Sequence, residues 1–289
     1  MTARSVAVAA ARGAVKGVAA AVDGLRRPAP GITILIYHRV GAGAGGQMDL
    51  APAAFDEQLT WLAATRRVLN LDAALAELAA PAVAAAAAPG SPSRHSPAIA
   101  PGVVITFDDG TADWVEHVLP ALERHRVPAT FYVATAFVDG TEPVPGGGRP
   151  ISWAGLREMA GSELVTIGSH TDRHRLLDRL PAAEIAGELD RSLERLGDEV
   201  GVAARHFAYP KALAGSPAAD AAVRERFRSA VLAGTRANPP GADPYRLSRS
   251  PVQAADGPAW FRRKAAGGLR AEDDLRRLAN RLRYRGLES

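Results

Sequence analysis

The stretch Val103-Val104-Ile105-Thr106-Phe107-Asp108-Asp109-Gly110 constrains this chain more than any other. A short run of β-branched residues and one Phe reads as a buried strand, and it stops on two adjacent carboxylates and a glycine. An ionised carboxylate at the end of a buried strand costs several kcal/mol to desolvate unless a positive charge answers it. The strand must therefore end in front of a cation or a charged ligand. Further along, Leu164-Val165-Thr166-Ile167-Gly168-Ser169-His170-Thr171-Asp172-Arg173-His174 repeats the pattern, ending in two histidines four apart. Two imidazoles and one carboxylate make a three-ligand metal site with room for water, the arrangement of a catalytic rather than a structural zinc. Neighbouring side chains of an extended strand point to opposite sides, so one aspartate can hold the metal while the other stays free as a base. A phosphotransferase signature would need a second acid two places from Asp108 or Asp109. Thr106, Phe107, Gly110 and Thr111 stand there instead.

The apolar runs alternate with segments of helical spacing. Strands are expected at residues 32–37, 67–71, 103–107, 129–134, 164–167, 206–209, 229–233 and 247–252. Helical spacing is read from Phe55, Leu59 and Leu62, and from Ile185, Leu189, Leu193 and Leu196. Repeated strand-then-helix units argue for parallel pairing, and seven or eight of them for a closed or nearly closed α/β barrel. With 289 residues and 47% hydrophobic content the chain fills one large domain, expected over 31–255. In such a barrel chemistry collects at the C-terminal strand ends, where Asp108, Asp109, His170, Tyr209 and His38 all fall.

Residues 1–30 read as a basic amphipathic segment, with Arg12 and Lys16 breaking up any signal-peptide core. That favours a cytoplasmic or peripheral-membrane location over secretion, and leaves membrane-surface contact a weakly supported partner. Residues 81–102, with five consecutive alanines followed by Pro-Gly-Ser-Pro-Ser, are a low-complexity loop. Residues 143–150 are a loop at the rim. The part of the C-terminal extension (256–289) from Arg262 to Arg285 reads as one amphipathic helix packed on the barrel. The net charge is +4, and all but three of the 35 basic residues are arginine. These are scattered, as on a solvated exterior, and no nucleic-acid partner is expected. No run approaches the ~18 to 20 apolar residues of a membrane span. With no cysteine in the chain, disulfides, thiolate zinc sites and cysteine nucleophiles are excluded, and any metal sits on His, Asp or Glu.

Taken together, Thr106-Phe107-Asp108-Asp109-Gly110 and Ser169-His170-Thr171-Asp172-Arg173-His174 resemble the first two motifs of the polysaccharide deacetylases, the NodB-homology or carbohydrate esterase family 4 enzymes. The resemblance implies a distorted (β/α)7-type barrel in a single domain. It also implies a carbohydrate substrate and a hydrolase that removes its acetyl groups from nitrogen. Asp108 is then the general base, and Asp109, His170 and His174 hold one divalent ion, usually zinc.

The family's C-terminal Leu-x-x-His has no counterpart in Tyr245-Arg246-Leu247-Ser248-Arg249, and the arginine of its third motif is missing from Phe207-Ala208-Tyr209-Pro210-Lys211. Both departures resemble a circularly permuted branch, the poly-N-acetylglucosamine deacetylases, in which the acid-side histidine follows the first strand. His38, in Ile34-Leu35-Ile36-Tyr37-His38, fits that place as general acid. A nearby carboxylate or the site's hydrogen bonds are expected to hold its pKa up. The branch also implies an oxyanion contact from the Tyr209 backbone N–H. Lys211, standing with Ala212 where the branch has an aromatic-Gly pair, and Trp153 are the expected substrate contacts, although an apolar anchor at a helix start suits Trp153 equally. His206 reads as structural. Asp172 reads either as a partner of the ligand loop or as a solvated residue. Two other functions fit the same residues: an O-acetyl esterase on a polysaccharide, and a carbohydrate-binding member of the fold without turnover.

Overall fold

In the computed structural model, which describes residues 31–80 and 101–269, the apolar runs become strands close to the expected positions. The order is β1 (Thr33–Tyr37), β2 (Arg39–Val40), β3 (Asp49–Leu50), α1 (Pro52–Thr65), β4 (Arg67–Val68), α2 (Leu71–Ala79) and β5 (Gly102–Asp109). A wide helical turn, Trp114–Val118, then runs into α3 (Leu119–His125), followed by β6 (Ala129–Val133), α4 (Thr135–Val138), α5 (Trp153–Ala160) and β7 (Val165–Ser169). The chain continues through α6 (Ala182–Val200), β8 (His206–Ala208), a 3-10 turn at Pro210–Ala212, α7 (Pro217–Arg226), β9 (Ser229–Ala233), β10 (Leu247–Pro251) and α8 (Gly257–Ala265).

Strands β5 to β10 pair in order, all parallel, and β1 closes the ring by pairing with both β10 and β5. Ile34 lies opposite Arg249 on one side and Val104 on the other. The result is a closed seven-stranded parallel barrel in one domain, the β/α barrel expected from the sequence. β4 adds only two residues beside the start of β5, and β2 and β3 form a separate small pair.

Strand alternation sorts the side chains into layers. Ile34, Val104, Tyr132, Ala208, Val231 and Leu247, from six strands, fill the barrel interior, and Leu71, Ala74 and Leu78 of α2 seal the end at which β5 begins. Helix α2 starts cleanly because Asn70 Oδ1 accepts the Ala73 N–H at 2.8 Å. On the outside, Tyr37, Phe107 and Phe131 stack in series at 5.2 and 4.9 Å between ring centres, with Phe55 of α1 meeting Phe107 edge-on. Helix α6 turns Ile185, Leu189 and Leu196 inward at helical spacing and ends at Gly201, whose φ of 77° suits a residue without Cβ.

Three boundaries differ from the sequence reading. β5 already begins at Gly102, the last residue of the expected loop, because its backbone pairs with Arg67. The C-terminal helix begins at Gly257 and ends at Ala265 rather than running from Arg262, since the chain turns at Gly267 (φ 72°) and buries Leu269 outside the helix. Phe261 and Ala265 belong to the main core, so α8 is part of the barrel's packing. The expected segments 1–30 and 81–100, and residues 270–289 with the rest of the expected C-terminal helix, lie outside the described residues. No helix among the described residues is long and apolar enough to cross a membrane.

Two glycines test this packing in opposite directions. A Cβ on Gly168 of β7 would lie 2.7 Å from the Tyr132 ring and 2.7 Å from the His206 carbonyl oxygen, so Gly168→Ala should lower stability by ~1 to 3 kcal/mol through overpacking. Exposed Gly197 in α6 meets nothing within 4 Å, and Gly197→Ala should raise stability by ~0.5 to 1 kcal/mol. Urea midpoints at constant slope read both. An unchanged midpoint for Gly168→Ala would mean that the Tyr132 ring has room to move.

Candidate metal and active site

The C-terminal ends of β5 and β7 bring Asp109, His170 and His174 together. Their donor atoms all lie within 4.8 Å of one another. The two Nε2 atoms are 3.2 Å apart, and Asp109 Oδ1 is 3.8 Å from His170 Nε2 and 3.7 Å from His174 Nε2. Donors set tetrahedrally at ~2.0 to 2.1 Å from a zinc-sized ion stand ~3.3 to 3.4 Å apart, so the trio fits such an ion after a contraction of a few tenths of an ångström. His170 Nδ1 lies 2.7 Å from the Ala208 carbonyl oxygen and carries its proton there, which leaves the Nε2 lone pair facing the cluster. Among the described residues no second group of three such donors occurs.

The loop that carries His174 is held against its conformational preference. Thr171 (φ 67°) and His174 (φ 57°) are left-handed, at a cost of ~1 to 2 kcal/mol for each residue with a Cβ. Several bonds offset that cost. Thr171 Oγ1 accepts the His174 N–H at 2.9 Å, and Ser169 Oγ, itself bonded to Ser192 at 2.7 Å, accepts the Thr171 N–H at 3.3 Å. Asp172 is buried, and its two oxygens accept the Thr135 hydroxyl at 2.8 Å and Arg191 Nε at 3.0 Å. Of the two readings the sequence left open for Asp172, the structure takes the first: it ties the ligand loop to α4 and α6.

Asp108 is placed differently from the sequence expectation. The backbone leaves the extended region at Asp109 (φ 88°) and Gly110 (φ 103°), so the two carboxylates converge instead of pointing apart. His170 Nε2 is 3.8 Å from Asp108 Oδ2 as well as from Asp109 Oδ1. What makes this tolerable is Arg249 of β10, a residue that the sequence reading passed over. Its Nη1 donates to Asp108 Oδ1 at 2.6 Å and its Nη2 to Oδ2 at 2.7 Å, while Nη1 also reaches Thr106 Oγ1 at 3.1 Å. Arg249 is fully buried, with Tyr132 beneath its guanidinium.

The charges sort accordingly. Burial pushes the Asp108 carboxyl up, but Arg249, His170 and His38 outweigh it and bring the pKa down to about 2. Burial and the neighbouring Asp108 charge lift Asp109 to about 7, against the pull of Arg39 and Arg249. Burial lowers His170, and burial followed by the charge of His170 lowers His174 to about 3. Both ligand imidazoles are thus neutral, as metal donors must be.

The remaining expected site residues divide. His38 follows β1 and stands close enough to Asp108, Arg249 and His170 to share their field, and its carbonyl accepts the Trp114 indole N–H at 2.8 Å. The expectation that a carboxylate holds its pKa up is overturned. Burial, with Arg249, His170 and Arg39, outweighs Asp108 and takes His38 down to about 3. The Tyr209 backbone N–H is committed to the Val231 carbonyl at 3.2 Å, so the expected oxyanion contact is not available from that group. The Tyr209 ring packs outside the barrel with Leu177, Leu189 and Phe227.

Lys211 is exposed and left-handed (φ 52°), and its charge is felt at His174, which places it on the site's side of the Pro210 turn. Trp153 opens α5, its indole donating to Asp139 at 2.9 Å with Arg195 over the ring. Those are the contacts of a helix-start anchor. His206 is buried at the other end of the barrel with Nδ1 2.9 Å from Ser229 Oγ, a structural role. Arg39, also unremarked in the sequence, is buried and donates Nη1 to the carbonyls of Pro145 (2.7 Å) and Gly147 (2.9 Å), clamping the 143–150 loop beside Gly110 and Thr111.

Comparison with known proteins places this geometry. The polysaccharide deacetylase family model matches residues 96–229, a span that holds Asp108 and all three donors. No curated protein matches the chain. Among solved structures, the deacetylase PplD of Streptococcus pyogenes, in complex with acetate, superposes with a TM-score of 0.65 at 19% identity over 83% of this chain and 99% of its own. IcaB from Ammonifex degensii gives 0.65 at 25% identity over 81% and 98%. A de-N-acetylase from Aggregatibacter actinomycetemcomitans gives 0.63 at 18% over 81% and 99%. His38 and Arg249 lie outside the span of the family model yet inside the barrel. The two sequence motifs, the closed barrel and the donor set thus agree with a polysaccharide deacetylase domain over residues 96–229, in a barrel similar to that of IcaB.

Proposed function

We propose that this carbohydrate deacetylase is divalent-metal-dependent and removes the acetyl group from nitrogen of an N-acetylglucosamine-type carbohydrate. The observation that carries the reading is the position of Asp108. It lies 3.8 Å from a metal-donor imidazole, ionised and with both oxygens engaged by Arg249, so it stands against the donor set without belonging to it. Asp109, His170 and His174 would hold the ion. When bound, the ion supplies a Lewis acid for the acetyl carbonyl and lowers the pKa of water, and zinc suits two imidazoles and a carboxylate.

The chain's own groups supply the proton transfers. Asp108 accepts the proton of the attacking water. Arg249 keeps that carboxylate ionised and fixes its plane, and once protonated the same carboxyl is strongly acidic. The proton must then reach the amine, which leaves poorly unless protonated. His38, neutral at rest, can serve as the donor only after it has been charged within the cycle, and Asp108 is the neighbouring group able to charge it. With the Tyr209 N–H occupied, the Lys211 cation at the rim is the group of this chain left to face developing negative charge. Nitrogen rather than oxygen as the leaving atom is supported by the description of the Aggregatibacter neighbour as a de-N-acetylase. An O-acetyl esterase would use the same groups and is separated by assay. A binder without turnover has no need of an ionised carboxylate beside the donor set.

Acetate release from chito-oligosaccharides should stop on chelation and return with added zinc. His170→Ala should lose the metal, whereas Asp108→Asn should keep it and lose activity. Chelator-insensitive turnover, or full activity in Asp108→Asn, would sink the mechanism.

His38→Ala should keep its metal and lose ~10²- to 10⁴-fold in kcat on the amide, with a much smaller loss on an activated O-acetyl ester, whose leaving group needs little protonation. Equal losses on both substrates, or loss of metal, would remove His38 from the acid role.

Arg249→Met strands an ionised, buried carboxylate and should cost ~3 to 5 kcal/mol of stability. The double variant Asp108→Asn/Arg249→Met should recover part of that loss in denaturant titrations. Strict additivity would mean that the two side chains are not coupled.

A further inference from the structure

We propose that Glu188, on α6, is a positioning residue for the metal site. It sets the second histidine by holding the two residues just ahead of it. Glu188 is 1% exposed although it is a carboxylate on a long surface helix. Its Oε2 accepts the Arg173 N–H at 2.8 Å, and its backbone carbonyl accepts the Asp172 N–H at 3.1 Å. A helix carbonyl normally accepts from the residue four places on, so α6 is turning both a main-chain and a side-chain acceptor of one residue toward the ligand loop. Those two N–H groups lie between the left-handed residues Thr171 and His174. Holding them fixes the sharp reversal that carries His174 Nε2 back to within 3.2 Å of His170 Nε2.

The charge of Glu188 has a weaker partner. Arg191 Nη2 is 3.6 Å from Oε1, an oxygen with no hydrogen bond in the structure. Arg191 gives its Nε to Asp172 instead. The geometry thus assigns Oε2 to the loop and makes the accepted hydrogen bond, rather than the negative charge, the working part of the side chain.

The inference rests on the reading of Asp109, His170 and His174 as metal donors, and the experiment separates the two. Zinc affinity is measured by chelator competition, and the Co²⁺ absorption spectrum reports donor geometry, in the wild type, His170→Ala, Glu188→Gln and Glu188→Asp. Glutamine keeps an acceptor oxygen at the same reach and loses the charge. Aspartate keeps the charge and falls one methylene short of the Arg173 N–H. The positioning role predicts a ~10- to 100-fold weaker affinity, with an altered Co²⁺ spectrum, for Glu188→Asp, as is usual when a group that orients a ligand is lost. Glu188→Gln should remain within about threefold of the wild type, a difference under ~0.7 kcal/mol. The reverse order, or equal weakening of both, would overturn the inference in favour of a charge effect. Wild-type affinity in Glu188→Asp together with a lowered Tm would overturn it in favour of a merely structural role. Unchanged metal stoichiometry in His170→Ala would overturn the metal reading itself, and this inference with it.

Discussion

Arg249 and Asp108 meet inside a closed barrel through two parallel hydrogen bonds, from strands that the chain forms 141 residues apart. Two carboxylates brought toward one imidazole repel each other strongly where the effective dielectric constant is low, and burial adds a desolvation cost to each. A lysine would have supplied the charge. Only a planar guanidinium supplies the charge together with a fork matched to both oxygens of one carboxylate, which leaves the other carboxylate free to face the histidines. The placement has a topological condition. Ile34 of β1 pairs with both Arg249 and Val104, so β10 approaches β5 closely enough for this contact only because β1 is the single strand between them. Closure of the barrel and ionisation of Asp108 are therefore linked.

The fold was legible in the sequence to within a few residues, since each apolar run is bounded by turn residues and each intervening helix has a regular apolar stripe. The convergence of Asp109, His170 and His174 was legible too, because a carboxylate pair and a His-x-x-x-His spacing at strand ends have few structural explanations. Arg249 was not. In Leu247-Ser248-Arg249-Ser250-Pro251 it sits among polar residues and reads like the solvent face of a strand, and nothing local shows that all of these but Pro251 are buried. Glu188 was hidden for the opposite reason: it lies in a helix rich in charge, where one more glutamate reads as surface. Both misses concern buried charges whose partners are distant in sequence, and periodicity measures only the average polarity of a face. Tyr209 failed differently. An N–H at a strand end was expected to be free, but β9 extends alongside it and Val231 takes the bond.

The left-handed residues around the mouth have a common cause. Asp109, Thr171, His174, Lys211 and Ala212 all adopt positive φ without being glycine, and they end β5 or follow β7 and β8. A strand end delivers side chains in alternation, half of them away from the barrel axis. Turning successive residues onto one centre requires leaving the extended region, and the backbone cost recurs wherever that is done. The cost is carried by neighbours that are rigid for other reasons: α6 and α4 for the histidine loop, and β6 for Asp109, whose carbonyl receives the Ala134 N–H at 3.3 Å.

Burial governs the protonation of the site in a way that favours ligation and works against acid catalysis at rest. Desolvation is the largest influence on His38, His170 and His174, and in each it favours the neutral ring. For His170 and His174 this is the form that would bind a cation. For His38 it is the form that cannot donate to an amine. The same field makes Asp108 a carboxylate that gives up a proton readily, because Arg249 stabilises its charged form. In the proposed reaction a proton taken from water would find no stable resting place on Asp108, and the neutral imidazole of His38 would be the neighbouring group to receive it. In the proposed reaction the proton would be held only briefly by the group that first accepts it, and a free amine, more basic than either, would be where it finally rests.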